Sequence, residues 1–448
     1  MRDAAVEILQ RAERSMAPVD NVLQTALSCW SPRDRRLLHE LVLGTVRWRR
    51  RLDDVLQQVA DRKLRSIDKG LLWPFRVALY QLFFLDRMPT HAIVYEAVEQ
   101  AERATHRGGA SFTNAVLRRV ARARRLSDWP VAAQEAVERL GTTYSYPNFL
   151  VRRWLERWGE PRTERLLTVC NQPKPMHLLA FRQCGGREAL AERLIDEDVV
   201  VEPSDLSPCG LIVRSGKVLK GGSLRGEGLY VQDEVSQIAA WLPPPRTGER
   251  VLDLAAAPGG KSFALLAMQP LLDVYATDVS VPRMKRMADN ARRLGLSEIR
   301  LAVEDALRPS IGGVFDRVVL DLPCSGTGTL RKNPEVRWRI RPEELNRLVR
   351  EGRELAVRSA QRVAPGGVLV LITCSIEEEE VTEPMREVLE RQPEFEPYPL
   401  HEHADPHVEA GRTEQPGLWQ VLPEDDHDGF TVGVLRRRAD GSNRSGNP

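Results

Sequence analysis

Two cysteines stand where apolar runs end. Cys324 lies in the stretch VVLDLPCSGTG and Cys374 lies in VLVLITCS, so an apolar run ends in Cys-Ser twice, fifty positions apart. A free cysteine in such a run most often fills space in a core. Two thiols at one edge of a sheet could instead supply a nucleophile and a second reactive group for covalent catalysis. The residue types alone leave both interpretations open.

Acidic residues end the neighbouring apolar runs. The segment DLAAAPGGKS begins at Asp253 after a predicted strand, and its small residues would let the backbone approach a ligand at the start of a helix. Asp278, Asp305 and Asp321 follow the next three predicted strands. Because ligands bind beyond the carboxyl ends of the strands in a parallel sheet, these positions predict one acidic ligand pocket.

Three nucleotide-like ligands compete for that pocket. A dinucleotide would require GxGxxG, which the segment lacks. A nucleoside triphosphate would require GxxxxGK[ST], in which Ala255 occupies the position of the first glycine. S-adenosylmethionine needs carboxylates for its ribose and acidic surroundings for its sulfonium. The three aspartates fit this ligand and would repel a polyphosphate, so S-adenosylmethionine is the predicted cofactor.

The cysteines then have a chemical use. Carbon 5 of a pyrimidine is too weak a nucleophile to attack a sulfonium methyl group, but a thiolate that adds at carbon 6 makes carbon 5 nucleophilic. A second group must then remove the proton from carbon 5 so that the enzyme thiol can leave. Asp321, three residues before Cys324, is placed to hydrogen-bond the ring and stabilise the adduct.

The elements that must position these residues divide the chain into four predicted ranges. Residues 1–140 have the apolar spacing of helices, and residues 141–232 alternate short apolar pieces with turns, as in a small α+β segment. Residues 233–438 alternate strands and helices, which predicts an α/β Rossmann-like domain with a mostly parallel sheet. The polar tail 439–448 is expected to be disordered.

Composition excludes several classes of protein. The 448 residues are 42% hydrophobic and 29% charged, which favours folded domains. No apolar run approaches the roughly 18 residues of a membrane-spanning helix, and the charged N-terminus is not an export signal. Six cysteines without CxxC spacing predict reduced thiols, no disulfide framework and no metal site. We expect a cytoplasmic monomer without a membrane partner.

Charge is unevenly distributed. Residues 1–140 carry 24 Lys and Arg against 17 Asp and Glu, whereas the remaining residues carry 41 against 46. Basic clusters at 47–51, 61–65 and 118–125 are either solvated helix faces or parts of a surface for nucleic acid. A further basic segment, RKNPEVRWRIR (331–341), contains Trp338, which could stack on a base while the arginines hold phosphates. A loop with a buried tryptophan is the alternative.

The motifs DLAAAPGGKS, DLPCSGTG, NPEVRW and LITCS, in this order, resemble those of the RNA cytosine-5 methyltransferases of the NOL/NOP/Sun group. The N-terminal third resembles the NusB-like RNA-binding domain in the stretches HAIVYEAVEQA (91–101) and FTNAVLRRV (112–120). The combination of both domains is similar to the bacterial ribosomal RNA methyltransferases of the RsmB/Sun family. The resemblance extends over residues 1–437.

The resemblance implies methylation of carbon 5 of a cytosine in small-subunit (16S) ribosomal RNA, through a covalent cysteine–cytosine adduct. It makes Cys374 the nucleophile and Cys324 the residue that assists product release, although the Pro-Cys pair by itself would favour Cys324 as nucleophile. Asp321 joins them as a catalytic residue. The residues implied for S-adenosylmethionine are Ala255, Ala256, Ala257, Pro258, Gly259, Gly260, Lys261, Asp278, Arg283, Asp305 and Asp321.

Three positions depart from the family pattern. Ala255 stands where many relatives carry cysteine, Val381 where they often carry asparagine, and Thr431 where they carry an aromatic residue. The last change is expected to loosen the packing behind the active site. A non-catalytic NusB-like RNA-binding or antitermination factor is the alternative function, and a P-loop nucleotide hydrolase is disfavoured by Ala255 and the acidic residues.

Overall fold

The computed structural model of this protein describes residues 1–439 apart from 16, 28, 29, 106, 124, 219–227, 309, 310, 401–408 and 412. These residues divide into two units, one comprising Met1–Asn171 with Leu330–Arg339, and the other comprising Gln172–Thr329 with the chain from Ile340 onward. The sequence division at 140, 232 and 438 stays a prediction. The tail 440–448, expected to be disordered, lies outside the described residues.

The first unit is helical, as the sequence predicts. Ser31 caps one helix by accepting a hydrogen bond from the Asp34 N–H at 3.3 Å, and Pro32 suits the first turn of that helix. A kink at Gly159, where φ is +71°, interrupts another helix. The helices are α1 (Arg2–Ser15), α2 (Val19–Leu27), α3 (Pro32–Ala60), α4 (Lys69–Phe84), α5 (Thr90–Ala104), α6 (Arg107–Arg122), α7 (Ala136–Thr143) and α8 (Asn148–Val169).

Apolar faces of these helices form the core of the first unit. One cluster joins the second half of α3 to α4, α5 and α6, with Phe75, Ile93 and Leu117 fully buried. Another cluster joins α1 and α2 to the first half of α3 and to α4. Since the helices present their apolar faces to one another, burial rather than intrinsic propensity holds the unit together.

The second unit begins with a small antiparallel sheet. Its strands are β1 (Met176–Ala180), β2 (Val200–Pro203), β3 (Gly210–Ser215) and β4 (Leu229–Val231), in the order β2-β3-β1-β4. Helix α9 (Gly186–Ile195) packs on it around Leu190 and Leu194. This confirms the small α+β segment of the sequence prediction.

A larger sheet carries the acidic strand ends and the cysteines. Its strands are β5 (Arg250–Leu254), β6 (Asp273–Asp278), β7 (Arg300–Val303), β8 (Phe315–Asp321), β9 (Val363–Thr373), β10 (Phe395–Pro397), β11 (Leu418–Val421) and β12 (Phe430–Arg437). The order is β10-β12-β9-β8-β5-β6-β7, with β11 beside β12. Strands β5 to β9 pair in parallel, and β10, β11 and β12 add antiparallel partners. The predicted Rossmann-like fold with a mostly parallel sheet is confirmed.

Helices cover both faces of this sheet, so its strands are apolar along their length. They are α10 (Glu234–Ala239), α11 (Gly260–Met268), α12 (Val281–Arg293), α14 (Pro342–Ala360) and α15 (Glu379–Arg391); the short helix α13 (Val336–Arg339) belongs to the first unit. From β5 the chain proceeds to β6 and β7 on one side, whereas β8 and β9 lie on the other. This reversal opens a crevice at the carboxyl ends of β5 and β8, where ligands of such folds bind.

No helix within the described ranges combines the length and apolar composition needed to cross a bilayer.

Candidate active site

The two cysteines meet at the carboxyl ends of adjacent strands. Strands β8 and β9 run parallel, with Asp321 opposite Ile372. The chain therefore reaches Cys324 and Cys374 a few residues past this pair, and their Sγ atoms lie 3.6 Å apart. Of the two interpretations that the sequence left open, the structure therefore agrees with the one that brings both thiols, fifty positions apart in the chain, to one edge of the sheet.

Backbone contacts hold the two cysteine-bearing loops together. The Gly328 N–H donates to the Cys374 carbonyl at 3.0 Å, and the Gly429 N–H donates to the Gly328 carbonyl at 2.9 Å. A Cβ atom at Gly328 would lie 2.0 Å from the Gly429 carbonyl oxygen. Only glycine fits at this position, because any side chain would push the loops apart.

The thiols are electrostatically unequal. A hydrogen bond from the Cys324 thiol stabilises a thiolate at Cys374 and so lowers the pKa of Cys374. The Lys261 ammonium also lowers this pKa, whereas burial and the Asp321 carboxylate raise it. The same hydrogen bond and the buried surroundings raise the pKa of Cys324 well above the usual value of a thiol. This difference favours Cys374 as the nucleophile, because the thiolate is the reactive form, and the assignment stays a prediction.

Lys261, in the first turn of α11, pairs with Asp321. Its Nζ lies 2.5 Å from Asp321 Oδ2, and the ammonium is 5.9 Å from the centre of the Phe430 ring. Burial disfavours the ammonium, but the attraction and hydrogen bond of Asp321, together with the charges of Cys374 and Asp253, outweigh burial and raise the pKa of Lys261. Lys261 is thus a cation paired with an acid of the cavity wall, a contact that the sequence motif did not reveal.

A cavity of about 490 Å³ opens beside Cys324 and Cys374, at the crevice between β5 and β8. Of the cofactor residues expected from the sequence, those on its wall are Ala255, Ala257, Asp278, Arg283, Asp305 and Asp321. The expected residues that do not line it, in the loop and first turn of α11, are Ala256, Pro258, Gly259, Gly260 and Lys261. All of these assignments stay predictions.

The chemistry of the wall suits a cationic ligand with hydroxyl groups. Asp278 is fully buried, and its Oδ1 accepts hydrogen bonds from the Ser280 N–H at 2.8 Å and from Arg283 Nη2 at 2.9 Å. Its Oδ2 is buried and has no hydrogen-bond partner among the described residues, so a ligand donor would satisfy it. Asp305 follows nearby, and Glu304 also lines the cavity. Carboxylates therefore outnumber Arg283 on this wall, which fits S-adenosylmethionine and disfavours a polyphosphate.

The loop after β5 has the strained backbone that close approach to a ligand requires. Ala255 has φ of +63°, in the left-handed region, and Gly259 has φ of +114°. A Cβ atom at Gly259 would lie 2.2 Å from the Phe263 ring. Beneath the loop, Asp253 accepts a hydrogen bond from Ser262 Oγ at 2.6 Å, and burial raises the pKa of Asp253 to about 7. Asp253 therefore supports the loop from inside the core.

Sequence reasoning missed several residues of this site. Glu304 is 7% exposed and directly precedes the predicted Asp305. Two consecutive acidic residues after a strand were the sequence signal that could have identified Glu304. Glu380 is buried behind the cysteines, and its acidic run EEEE looked like an exposed helix start. Ser325 and Ser375, which follow the two cysteines, are also buried. Their contacts depend on the packing of α15, which no local pattern predicts.

The basic segment at 331–341 packs its central residues within the first unit. Arg337 is fully buried, donates to Asn171 Oδ1 at 2.9 Å, and lies 3.8 Å from the centre of the Tyr146 ring. Trp338 Nε1 donates to the Val46 carbonyl at 2.8 Å, and its ring packs on the first-unit core. The interpretation that the arginines of this segment hold phosphate is wrong for Arg337, because its side chain fastens the segment to the rest of the first unit. Lys332, Arg339 and Arg341 are exposed and Trp338 is half-buried, so for them the interpretation stays a prediction.

The cluster at 47–51 is likewise committed to internal contacts. Arg50 donates to Thr142 Oγ1 at 3.1 Å and to Asn148 Oδ1 at 2.7 Å. Arg51 is 5% exposed, pairs with Asp54, and donates to backbone carbonyls after α6. These arginines join α3 to its neighbours and do not form a solvated basic face.

The departures from the family pattern are accommodated. Thr431 is fully buried, donates to the Ser375 carbonyl at 2.7 Å, and accepts from Gln420 Nε2 at 2.8 Å. The expectation of loose packing at this position is wrong, because hydrogen bonds take the place of an aromatic ring. Val381 is fully buried in the apolar core.

No cluster of three or more His, Cys, Asp or Glu side chains is arranged to hold a metal ion within the part of the chain that the structure describes.

Three family models match this chain. The family described as 16S rRNA methyltransferase RsmB/F matches residues 239–436, the NusB family matches residues 1–122, and the ferredoxin-like domain of RsmF/B-like methyltransferases matches residues 146–218. The probable ribosomal RNA small subunit methyltransferase B of Bacillus subtilis (strain 168) is 30% identical over 98% of this chain and 99% of its own length.

Two further relatives extend over the same range. The ribosomal RNA small subunit methyltransferase B of Vibrio cholerae serotype O1 is 31% identical over 98% of each chain. The crystal structure of PH0851 superposes with a TM-score of 0.77, at 27% identity, over 97% of this chain and 98% of that one. The chain belongs to the RsmB/F family of ribosomal RNA small subunit methyltransferases.

Proposed function

We propose that this protein methylates carbon 5 of a cytosine in small-subunit (16S) ribosomal RNA, using S-adenosylmethionine and a covalent Cys374–cytosine adduct. The observation that carries the proposal is the pair of thiols 3.6 Å apart on the wall of an acidic cavity. The relatives named ribosomal RNA small subunit methyltransferase B support the class of substrate.

S-adenosylmethionine, when bound, supplies an electrophilic methyl group on a positively charged sulfur. Asp278 would accept a hydrogen bond from a ribose hydroxyl through its unpaired Oδ2, while Arg283 holds the other carboxylate oxygen. Asp305 and Asp321 add negative charge to the same cavity, which favours a sulfonium over an anionic ligand.

Cys374 forms the covalent bond. Its thiolate, favoured by the Cys324 thiol and by Lys261, adds to carbon 6 of cytosine and makes carbon 5 nucleophilic toward the methyl group. Asp321 Oδ2 accepts a hydrogen bond from Lys261 Nζ. The other carboxylate oxygen of Asp321 would accept a hydrogen bond from the edge of the cytosine ring. Lys261 thus connects the acid that orients the base with the thiolate that attacks it.

Cys324 removes the proton from carbon 5. In the free enzyme, the neighbouring Cys374 raises the pKa of Cys324. The Cys374 thiolate loses its charge when it becomes the thioether of the adduct, so Cys324 ionises more readily at the step that requires a base. Transfer of the carbon-5 proton to Cys324 restores the carbon 5–carbon 6 double bond and expels the Cys374 thiolate.

The first unit would contact RNA through the basic clusters at 61–65 and 118–125. The Arg62 guanidinium lies 5.4 Å from the Phe112 ring, and Arg119 donates to the Val59 carbonyl at 3.2 Å, so the loop after α3 adjoins α6. The exposed cations of this surface are Arg62, Lys63, Arg65, Arg118, Arg119, Arg122 and Arg125. We expect an R118A/R122A variant to bind RNA more weakly, with a shallower salt dependence, since each lost phosphate contact lowers the slope by about one. Unchanged salt dependence would rule out this surface.

The test of the proposed reaction is transfer of labelled methyl from S-adenosylmethionine to unmodified small-subunit ribosomal RNA, followed by mass spectrometry of the nucleosides. Labelled 5-methylcytidine would support cofactor, base and reaction together, and the Cys374→Ala protein is the matched blank. Label on transfer RNA alone would overturn the substrate. Absence of label from any RNA, with the cofactor still bound, would favour the non-catalytic RNA-binding factor.

A further inference from the structure

A buried polar network lies directly behind the two cysteines. Ser325 and Ser375, the residues that follow Cys324 and Cys374, have their hydroxyl oxygens 3.0 Å apart. Thr327 Oγ1 lies 3.0 Å from the Ser375 hydroxyl oxygen. All three side chains are buried, with Ser325 at 6% exposure and the other two at 0%. The network therefore links the residue after one thiol to the residue after the other.

Glu380 of α15 ends this network. Its Oε1 accepts from the Ser325 N–H at 2.6 Å, its Oε2 accepts from Ser325 Oγ at 2.7 Å, and its carboxylate also hydrogen-bonds the Ser375 side chain. Glu380 is 1% exposed, and burial raises its pKa to about 7 against the hydrogen bonds from both serines. Such burial opposes folding, so apolar packing of α15 alone does not account for a carboxyl at this position.

The same hydrogen bonds fix the backbone after Cys374. The Ile376 N–H donates to Thr327 Oγ1 at 3.2 Å, and the Glu377 N–H donates to Ser375 Oγ at 3.0 Å. The Ser325 and Ser375 hydroxyls can both donate to the Glu380 carboxylate, while the Thr327 hydroxyl donates to Ser375 Oγ. One carboxyl side chain thereby orders the hydroxyls of two loops that are some fifty residues apart in the chain.

We propose that Glu380 is a positioning residue that fixes the Cys324 loop against the Cys374 loop, so that both thiols reach one cytosine. The inference rests on the proposed function, in which Cys374 adds to the base and Cys324 then deprotonates it. Small displacements of reacting groups lower rates strongly, by up to about a hundredfold for 1 Å. Glu380 hydrogen-bonds the serines and positions the loops through them, and its charge also raises the pKa of both thiols.

The experiment measures adduct formation separately from stability. Wild type, Glu380→Ala and Glu380→Gln are mixed with S-adenosylmethionine and RNA that contains 5-fluorocytidine, whose carbon 5 carries no proton to remove, so the adduct persists. Glu387→Gln is the matched control, because Glu387 is a buried carboxylate on the same helix that pairs with Arg353 and lies outside the network. Thermal unfolding and S-adenosylhomocysteine affinity are measured for each protein.

We expect Glu380→Ala to form adduct about tenfold or more slowly than wild type, with cofactor affinity unchanged. Glu380→Gln should be intermediate, since its amide oxygen still accepts from the Ser325 N–H, and Glu387→Gln should form adduct at the wild-type rate. A normal rate for Glu380→Ala, or an equal loss in Glu387→Gln, would overturn the proposal.

A second variant tests the same positioning role in case Glu380→Ala does not fold. Ser325→Ala removes the hydroxyl link and keeps the N–H that Glu380 binds, so its adduct rate should also fall, and a normal rate would refute the positioning role. Absence of adduct in wild type would instead count against the proposed reaction.

Discussion

The hydrogen bond between the two thiols predicts how Cys374 reacts when Cys324 is replaced. In Cys324→Ala the donor that lowers the pKa of Cys374 is gone, so less thiolate is present at a given pH. In Cys324→Ser a hydroxyl, which is a stronger donor than a thiol, takes its place. The two variants separate the loss of the donor from the loss of the thiol.

The expected change can be worked out from the contact. A hydrogen bond to a charged group contributes about 1.5–3 kcal/mol. Because a thiol is a weak donor, loss of the Cys324 hydrogen bond should cost the Cys374 thiolate about 1.4 kcal/mol, which corresponds to a roughly tenfold smaller thiolate fraction. A more basic thiolate is also more nucleophilic, with a Brønsted coefficient of about 0.4–0.5, which recovers roughly threefold. Alkylation of Cys374 at neutral pH should therefore be about three- to tenfold slower in Cys324→Ala.

The assay is timed iodoacetamide labelling of the cofactor-free proteins, with mass spectrometry of the peptide that contains Cys374. Peptide-level reading excludes the contribution of Cys324 in wild type. Cys324→Ser should stay within about twofold of wild type. Equal or faster labelling of Cys374 in Cys324→Ala would refute the reasoning that the neighbouring thiol sets the reactivity of the nucleophile.

Four other changes have expected outcomes. Cys374→Ala should abolish methyl transfer and keep S-adenosylhomocysteine binding, so methyl transfer at the normal rate would exclude Cys374 as nucleophile. Cys324→Ala should leave protein–RNA adducts that survive denaturing gels, and normal turnover without them would return Cys324 to a packing role. Asp278→Asn should weaken cofactor binding by about tenfold or more in calorimetry, and unchanged affinity would contradict the ribose contact. Burial raises the pKa of Asp253 from 3.8 to about 7, so its contribution to folding is full below about pH 4 and is lost as pH rises through 7. Asp253→Asn should therefore gain stability over wild type with rising pH, up to roughly 4 kcal/mol above pH 7, and a pH-independent difference in thermal unfolding would contradict this.

Local pattern was sufficient for the fold class and for the acidic strand ends of the cavity wall. Strand-helix alternation indicates a parallel sheet, and a parallel sheet collects its strand ends at one edge. Asp278, Asp305 and Asp321 could therefore be placed together from their positions in the chain, as could the two cysteines. The residue types left a packing role open for both thiols, and the family resemblance supplied the expected role of each.

Basic residues were the least predictable from the sequence. Arg51 and Arg337 belong to clusters that look like surfaces for RNA, yet both are buried and donate to backbone or side-chain oxygens of distant elements. Whether an arginine faces solvent or joins two helices depends on which acceptors the fold brings within reach. Spacing along one helix does not contain that information.

The sequence by itself determined the architecture and the positions of the reacting groups, because both follow from periodicity and from the direction of parallel strands. The tertiary structure alone decided how these groups are tuned. The Cys324 and Cys374 thiols lie within hydrogen-bonding distance, Lys261 pairs with Asp321, and Glu380 hydrogen-bonds the loop that carries Cys324. Hydrogen bonds and ion pairs act over about 3 Å between residues far apart in the chain, so their partners exist only after the core has packed.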